Sequence, residues 1–175
     1  YANTPLESSF GIINLALVNN APKTLPLYEM LRLFVWFRQE IVRKRCVFEK
    51  KQAEARAHIL EGLTIALKNI DSIIPFLKAS RDAKAAKNGL MQDYALSEKQ
   101  AEAIIEMKLR VLTGLEREKI EKELGELKKL IEWLAGILAD ETKILQIIKG
   151  ELSEIRKKYA DARRTKIEEV ADERT

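Results

Sequence analysis

The chain has little cysteine, histidine, glycine or proline, and each shortage excludes a class of protein. Its single cysteine and single histidine, Cys46 and His58, exclude an internal disulfide framework, a zinc knuckle and a histidine-rich metal site. There are 7 glycines and 4 prolines among 175 residues, which argues against an all-β fold, a collagen-like repeat and a disordered chain. No apolar run approaches the roughly 20 residues needed to cross a membrane, and no signal peptide is recognised. The first residue is Tyr1 rather than Met, as expected of a piece of a longer protein.

The charge is unevenly distributed along the chain. Charged residues make up 33 % and apolar residues 46 %, and the formal net charge is +4. Residues 1–60 contain 9 basic and 5 acidic side chains, whereas residues 61–175 contain 22 of each. The excess forms a basic stripe around Arg38, Arg43, Lys44, Arg45, Lys50 and Lys51. Such a stripe either faces a polyanion or is a solvated helix face, and the sequence leaves both interpretations open.

The N-terminal residues have the pattern of a small β element. Residues 10–18 are mainly apolar, residues 19–22 (NNAP) have turn composition, and residues 23–25 could form a second short strand. Two strands do not make an independent sheet. This element is therefore expected to dock on the helices or on something outside the chain.

Two long stretches have heptad patterns typical of paired helices. Pro26 lies where a helix tolerates proline best, at its first turn. The first seam is predicted at Phe34, Ile41, Phe48, Ala55, Ile59, Leu63, Ala66, Ile70, Ile73 and Leu77. The second is predicted at Ile120, Leu124, Leu127, Ile131, Leu134 and Leu138, with a related pattern beyond residues 140–142. About 40 residues separate the stretches, which indicates an antiparallel hairpin with arms of roughly 60–75 Å.

The residues between the two stretches predict a compact helical tip. Residues 80–95 are polar and contain Asn88-Gly89, so they are expected to be broken. Ser97-x-x-Gln100 is a capping box that begins a helix over residues 98–112, and a second box, Thr113-x-x-Glu116, precedes the return. The predicted helix has two apolar stripes. One serves the tip's own core, and the other either binds another chain or is buried on a second side of the tip.

Several single residues are interpreted as structural. His58 is expected to pack or to form hydrogen bonds, and Cys46 to be a buried small side chain. Trp36 and Trp133 are expected to anchor packing rather than to stack on bases. The helix glycines Gly62, Gly125 and Gly136 are interpreted first as close-packing positions and second as bend points.

The predicted fold class is mainly α, with a long antiparallel two-helix coiled-coil arm, a small helical globular tip and a short β element near the N-terminus. Its five parts are a β-containing N-terminal segment (1–25), ascending arm helices (26–79), a globular dimerisation tip (80–118), returning arm helices (119–158) and an exit segment (159–175).

Six sequence blocks spread along the chain are more specific than a heptad pattern. They are residues 4–12 (TPLESSFGI), 56–63 (RAHILEGL), 66–71 (ALKNID), 96–104 (LSEKQAEAI), 107–116 (MKLRVLTGLE) and 159–165 (YADARRT). In this order, and over nearly the whole chain, they resemble the DNA gyrase and topoisomerase IV A-subunit family. Phe37 and Ala160 depart from the histidine and glycine common in that family. The RRT sequence at residues 163–165 favours the gyrase branch.

The resemblance implies one part of a type IIA DNA topoisomerase, an enzyme that cuts both strands of one duplex, passes another through and reseals the break. The matching region is the coiled-coil arm with the dimerising tip, the exit gate or C-gate. The tip interface is then expected to include Ala101, Ile104, Met107, Lys108, Val111, Leu112, Thr113 and Leu115. A weak DNA-facing stripe would comprise Arg38, Arg43, Lys44 and Arg45.

The resemblance also predicts what the fragment does not do alone. In the family, cleavage depends on a tyrosine that follows an arginine in an upstream winged-helix domain, and Tyr1, Tyr28, Tyr94 and Tyr159 lack that context. No catalytic residue, metal ligand or cofactor is expected here, because the parent complex uses ATP and Mg²⁺ through the partner subunit. The expected assembly is a homodimer through the tip, within an A2B2 heterotetramer whose cavity duplex DNA crosses. A cytoplasmic location without membrane contact is expected.

Three alternatives to the gyrase interpretation are considered. The chain could be the equivalent part of the topoisomerase IV A subunit. It could be a free-standing coiled-coil protein-interaction module, against which the ordered family blocks argue. It could also retain DNA cleavage, against which the missing tyrosine context argues.

Overall fold

The computed structural model describes residues 3–6, 8–107 and 114–167. Within them the chain is mainly helical, with a two-stranded sheet near the N-terminus, as predicted. The described helices include none that is both long and apolar enough to span a bilayer. The elements are β1 (Leu15–Val18), β2 (Ala21–Thr24), α1 (Leu27–Lys68), α2 (Ile70–Ala79), α3 (Ala83–Tyr94), α4 (Glu98–Ile105), α5 (Gly114–Leu138) and α6 (Glu141–Tyr159).

The chain divides into two compact units. The first comprises Tyr1–Gln39 and Thr142–Thr175, and so contains the sheet, the beginning of α1 and most of α6. The second is Glu40–Glu141, which contains the rest of α1, helices α2 to α4, and α5.

The β element of the first unit is a hairpin closed by a two-residue turn. Asn19 and Asn20 have φ values of 51° and 63°, which asparagine tolerates better than most residues and which suit a tight hairpin turn. Because this turn is shorter than the sequence suggested, the second strand begins at Ala21 rather than Lys23. The strands pair antiparallel from Leu15 opposite Thr24 to Val18 opposite Ala21.

The helical part of the first unit has one strong polar contact between its two segments. Arg38 Nη2 of α1 donates to Glu151 Oε2 of α6 at 2.6 Å. Ile144 and Ile148 of α6 are buried, and their four-residue spacing places them on one helix face. The ion pair with Glu151 gives Arg38 an acidic partner within its own unit.

In the second unit, α1 and α5 form an antiparallel pair, here called the arm and defined as residues 40–68 with α5. Arg43 bonds to Glu141, Arg56 to Glu123 and Glu61 to Lys128, so later residues of α1 meet earlier residues of α5 overall. The apolar contacts agree, because Leu60 and Leu67 of α1 cluster with Ile120, Leu124 and Leu127 of α5. The predicted helical hairpin is confirmed for this unit.

The seam of α1 differs from the predicted one in its first half. The predicted seam residue Phe48 is 60 % exposed, and Ala55 is exposed as well. The buried positions are instead Val42, Cys46, Ala53, Ala57 and Leu60. Four of these five residues are small or β-branched, whereas the heptad interpretation followed the larger Phe34 and Phe48. The two helices approach closely here, so the smaller side chains fit between them and a phenylalanine does not.

Helices α2, α3 and α4 form a compact core at the end of α1, here called the tip. Its buried residues come from α1 to α4 and the α3–α4 link: Ala66, Ile73, Leu90, Leu96, Ala101 and Ile104. Helix α1 stops at Lys68, where the Asn69 side chain donates to the carbonyl of Ile65 at 2.9 Å. Such a side-chain bond competes with the helical ladder.

Two features of the tip correct the sequence analysis. Residues 80–95 are not a broken segment, because α3 runs through Asn88-Gly89 from Ala83 to Tyr94. A side chain at Gly89 would collide with the ring of Phe76, so this glycine serves packing between α2 and α3. Helix α4 ends at Ile105 rather than Leu112, and the Met107 N–H bonds to the Ile104 carbonyl in a tighter turn at 3.2 Å.

The single-residue predictions have mixed outcomes. Cys46 is buried, at 2 % exposure, as predicted. Gly62 is a close-packing position, whereas Gly125 has open space where a side chain would be, so close packing is wrong there. Trp36 and Trp133 are 52 % and 58 % exposed, so the prediction that they anchor packing is also wrong. The role of Gly136 stays a prediction.

Candidate functional site

The tip residues predicted for a dimer interface fall into four groups. Ala101 and Ile104 are 0 % and 1 % exposed and lie in the tip core with Ala66 and Leu90. The sequence spacing places these two residues on neighbouring stripes of the helix, yet both contribute to the internal core rather than to an exposed surface. They pack with core residues of α1, α2 and α3.

Met107 and Leu115 occupy different positions. Met107 packs against the cluster of Leu60, Leu67 and Ile120, which joins the tip to the arm. Leu115, in the first turn of α5, is 74 % exposed and is available for contact with another molecule. Lys108, Val111, Leu112 and Thr113 lie outside the described residues, as does the cap predicted at Thr113.

The N-terminus of α4 is capped as the sequence predicted. Ser97 accepts a hydrogen bond from the Gln100 backbone N–H at 3.3 Å, and Gln100 Oε1 accepts one from the Ser97 backbone N–H at 2.9 Å. This reciprocal pair satisfies two backbone donors that the first turn of a helix leaves free. It fixes the beginning of α4 beside the buried Leu96.

Helices α3 and α4 are also joined by a charged cluster. Lys87 Nζ donates to Glu98 Oε1 at 2.5 Å and to Glu102 Oε1 at 2.7 Å. Both hydrogen bonds raise the pKa of Lys87 above its ordinary value, and the bond to Glu102 contributes most. The hydrogen bond from Lys87 in turn lowers the pKa of Glu98. Beside the cluster is an open cleft of about 300 Å³, lined by Ala83, Lys84, Lys87, Glu102, Ile105 and Glu106.

The four residues predicted as a DNA-facing stripe differ in their contacts. Arg38 is bound to Glu151, and Arg43 Nη2 bonds to Glu141 Oε1 at 3.1 Å. Both cations are therefore partly neutralised by neighbouring carboxylates. Lys44 and Arg45 are exposed, and Lys44 lies on the side of α1 opposite the buried Val42 and Cys46.

Arg117 is a site residue that the sequence did not reveal. Its Nη2 donates to the carbonyl of Leu67 at 3.0 Å, near the end of α1, where the last carbonyls lack helical partners. Its Nε is buried without a hydrogen-bond partner. In the sequence, the neighbouring Glu116 is noted as part of a capping box. Arg117 was missed, because no local pattern marks a contact with Leu67, which lies 50 residues earlier in the chain.

Three of the four tyrosines, and the residue types that commonly bind metals, can be placed in the described part of the chain. Tyr94 Oη shares a hydrogen bond with Ser72 Oγ at 2.8 Å, and the Lys158 ammonium lies 5.3 Å from the centre of the Tyr159 ring. Tyr28 is exposed. Among residues 3–6, 8–107 and 114–167, no three His, Cys, Asp or Glu side chains are grouped to hold a metal ion.

The first unit has an exposed apolar surface formed by the sheet and the beginning of α1. The beginning of α1 is apolar around much of its circumference, and its side chains are largely uncovered. Helices that are apolar on all sides are usually buried. The exposed apolar residues of this surface include Leu15, Leu17, Leu27, Tyr28, Leu31 and Phe34.

Comparison with known proteins gives a consistent result over almost the whole chain. The family of DNA gyrase/topoisomerase IV A subunits matches residues 1–153. The DNA gyrase A subunit of Clostridium acetobutylicum is 51 % identical over 173 residues, covering 99 % of this chain and 21 % of that protein. The DNA gyrase A subunits of Helicobacter pylori and Staphylococcus aureus are 47 % and 49 % identical. They cover 97 % and 96 % of this chain, with 20 % and 19 % of their own lengths matched.

The chain thus spans about a fifth of the length of these relatives. The matched residues include the arm and the tip, so the resemblance is not confined to a heptad pattern. On this agreement in sequence, the chain belongs to the DNA gyrase/topoisomerase IV A-subunit family.

Proposed function

We propose that this chain is the arm and dimerisation tip of a DNA gyrase A subunit, and that it acts as the exit gate of the enzyme. In this role two copies meet through their tips and close a cavity that a transported duplex must leave. The fragment itself performs no cleavage. The observation that carries the proposal is the arm of α1 and α5 ending in a packed tip, in a chain about half identical to gyrase A subunits.

The packing of the second unit suits a gate that moves as a body. Apolar clusters and cross-helix ion pairs join α1 to α5, and the tip core shares Ala66 with α1. Packed helices of this kind transmit motion because their interfaces have few discrete arrangements. A gate interface must hold the broken DNA ends together and must also open once per cycle, which favours a modest contact of about 1,000–2,000 Å².

The remaining assignments concern the parent complex. We assign ATP hydrolysis and Mg²⁺ to a partner subunit, and the assembly to an A2B2 heterotetramer in the cytoplasm. We also assign the exposed apolar surface of residues 15–34 to contact with the rest of the gyrase polypeptide to which this chain belongs. That assignment agrees with relatives roughly five times as long as this chain.

Sedimentation equilibrium over a concentration series tests the gate assignment. A self-closing gate gives a dimer of about 40 kDa, twice the chain mass of 20.1 kDa, that persists at micromolar concentration. Leu115→Glu places a charge on an exposed residue in the first turn of α5, at the end of the arm next to the tip, without disturbing the internal core. It is expected to weaken dimerisation about tenfold or more, as hot-spot substitutions do.

Val47→Glu is the matched control, because Val47 is also an exposed apolar residue, at 52 %, but lies on α1 far from the end of the arm that carries the tip. It should leave the dimer constant unchanged, and circular dichroism should show intact helices in both variants. A monomer at all concentrations, or equal weakening by both substitutions, would contradict the tip assignment. Ile104→Glu is unsuitable here, because it would bury a charge in the core.

The absence of cleavage by the fragment is tested separately. Supercoiled plasmid incubated with the chain and Mg²⁺ should keep its linking number and yield no covalent protein–DNA adduct. Adduct formation, mapped to any tyrosine of the chain, would restore the alternative that this fragment cuts DNA.

A further inference from the structure

The buried amide of Gln100 joins the beginning of α4 to the middle of α1. Gln100 is only 7 % exposed, and its Nε2 donates to the backbone carbonyl of His58 at 2.7 Å. Its Oε1 is already used as the acceptor for the Ser97 backbone N–H. One amide side chain therefore satisfies groups on two helices that are 42 residues apart in sequence.

The same contacts specify the hydrogen-bonding state of His58. Because Oε1 accepts from Ser97, the other end of the amide must be the donor, and it lies 3.4 Å from His58 Nδ1. These contacts favour the tautomer in which Nδ1 accepts from the amide and Nε2–H donates to Ser97 Oγ, the two atoms being 2.6 Å apart. His58, Ser97 and Gln100 thus form a closed ring of hydrogen bonds across the α1–α4 contact.

Gly62 leaves the space that this ring requires. It lies one turn after His58 on α1 and is buried against the Gln100 side chain. A Cβ at position 62 would be 2.6 Å from Gln100 Cγ and 2.7 Å from Gln100 Cβ. A methyl group there would push the amide away from the His58 carbonyl.

The ring and the tip core hold α4 at two different points. Helix α4 has eight residues, so it is about 12 Å long. Ala101 and Ile104 hold it by apolar contacts in the tip core, which permit some rotation because they are not directional. The hydrogen bonds hold its N-terminus on α1 with defined geometry. The bonds from Lys87 to Glu98 and Glu102 hold the same helix on α3. The ring supplies the directional contact with α1, without which the core contacts alone would let α4 pivot relative to α1.

We propose that His58, Ser97 and Gln100 form an arm–tip lock that fixes the direction of α4 on α1, with Gln100 as its positioning residue. The consequence for gating rests on the proposed function: the lock orients the tip surface that meets the second copy. Gate opening then moves arm and tip together, and does not proceed by swinging α4 away from α1.

Gln100→Leu tests the lock, because leucine keeps an apolar side chain of similar size in the buried site but forms none of the hydrogen bonds. Gln92→Leu is the matched control, since Gln92 is exposed on α3. Spin labels are placed at Ala55→Cys and Lys99→Cys, exposed on α1 and α4, in a Cys46→Ala background. A second pair, Asn88→Cys with Lys99→Cys, reports the α3–α4 contact inside the tip. Labelled chain is diluted with unlabelled chain, so that only distances within one copy are measured.

The lock predicts that Gln100→Leu broadens the distance distribution between positions 55 and 99 and leaves that between 88 and 99 unchanged. Amide exchange in the first turn of α4 should rise roughly ten- to thirtyfold, as expected when the hydrogen bonds of the Gln100 side chain are lost. Gln92→Leu should change neither distribution. Gln100→Leu should also weaken dimerisation several-fold.

Two results would overturn the lock. An unchanged 55–99 distribution would mean that the core alone directs α4. Equal broadening of both distributions would mean that Gln100 only keeps the tip folded. A chain that is monomeric at every concentration would instead contradict the proposed gate, because the distances within one copy do not depend on dimerisation.

Discussion

At the scale of the residue, two glycines on the paired arm helices show that the same residue type can have opposite roles. Gly62 of α1 is buried against Gln100, and no side chain fits there. Gly125 of α5 is exposed, and apart from its chain neighbours and the adjacent helix backbone no atom lies within 4 Å of the place where its Cβ would be. The first is required by packing, whereas the second only loosens a helix interior.

Replacing each glycine by alanine should therefore change stability in opposite directions. Gly125→Ala should raise the free energy of unfolding by roughly 0.5–1 kcal/mol, the usual helix-propensity gain. Gly62→Ala should lower it by about 1–3 kcal/mol, because the displaced Gln100 leaves buried polar groups unpaired. Urea unfolding followed by circular dichroism measures both.

Gly150→Ala in α6 serves as a control for the propensity gain, because its surroundings are also open. If Gly62→Ala were as stabilising as Gly125→Ala and Gly150→Ala, the close approach of Gln100 to α1 would be incorrect.

The sequence could predict those residue roles that depend on local chemistry. It predicted the capping pair Ser97 and Gln100, a packing or hydrogen-bonding role for His58, of which the structure shows hydrogen bonding, and the burial of Cys46. It could not predict that Gln100 also reaches His58, because that contact depends on how two distant helices approach. The prediction for Trp133 failed for a related reason. Its size favoured burial, but the helix pair leaves it on an outer face.

At the scale of the element, the arm helices are held in register by polar contacts on the flanks of a narrow apolar seam. Arg56 donates to both oxygens of Glu123, at 2.7 and 3.0 Å. This two-bond geometry fixes relative position better than a single contact does. The hydrogen bond with Glu123 raises the pKa of Arg56, and the hydrogen bond from Arg56 lowers the pKa of Glu123.

The Arg56–Glu123 pair should give the arm a measurable acid sensitivity. Because the folded-state pKa of Glu123 lies below its ordinary value, its stabilisation is complete above the ordinary pKa. It is lost as the pH falls through the lowered folded-state value. Glu123→Gln should lower stability at neutral pH by about 0.2–1 kcal/mol, since both groups are partly exposed. The difference from the parent chain should vanish in strong acid, as measured by thermal unfolding across pH.

Glu126→Gln is a suitable control, because Glu126 is exposed on the same helix. A constant difference between parent and Glu123→Gln at every pH would contradict an effect carried by ionisation of Glu123.

The helices were only partly predictable from the sequence. Heptad spacing identified the long helices, because their apolar period is repeated over many turns. It misplaced the seam of α1, since the larger apolar side chains suggested one face and the smaller ones are buried on another. Helix α3 was missed because Asn88-Gly89 normally marks a turn, whereas here the glycine accommodates Phe76.

At the scale of the whole molecule, the excess charge is small and is partly used internally. The net charge is +4, yet Arg38, Arg43 and Arg56 each bind a carboxylate. A surface through which a duplex must pass and then leave should not hold it tightly. The proposed gate and this modest charge therefore agree in favouring weak contact with DNA.

The chain should bind duplex DNA weakly, without sequence preference and only at low salt. With about two to four phosphates neutralised, the logarithm of the binding constant should fall with log salt at a slope of roughly −2 to −4. Lys44→Gln should lower affinity at low salt and reduce that slope by about 1, because Lys44 is exposed within the predicted stripe.

Lys129→Gln removes the same charge from an exposed position on α5 and should have a smaller effect. Fluorescence anisotropy of a labelled duplex across a salt series measures both. Equal effects of the two substitutions would mean that net charge alone attracts DNA. Binding that survives high salt would contradict the predicted weak contact, because the surface would then hold the duplex tightly.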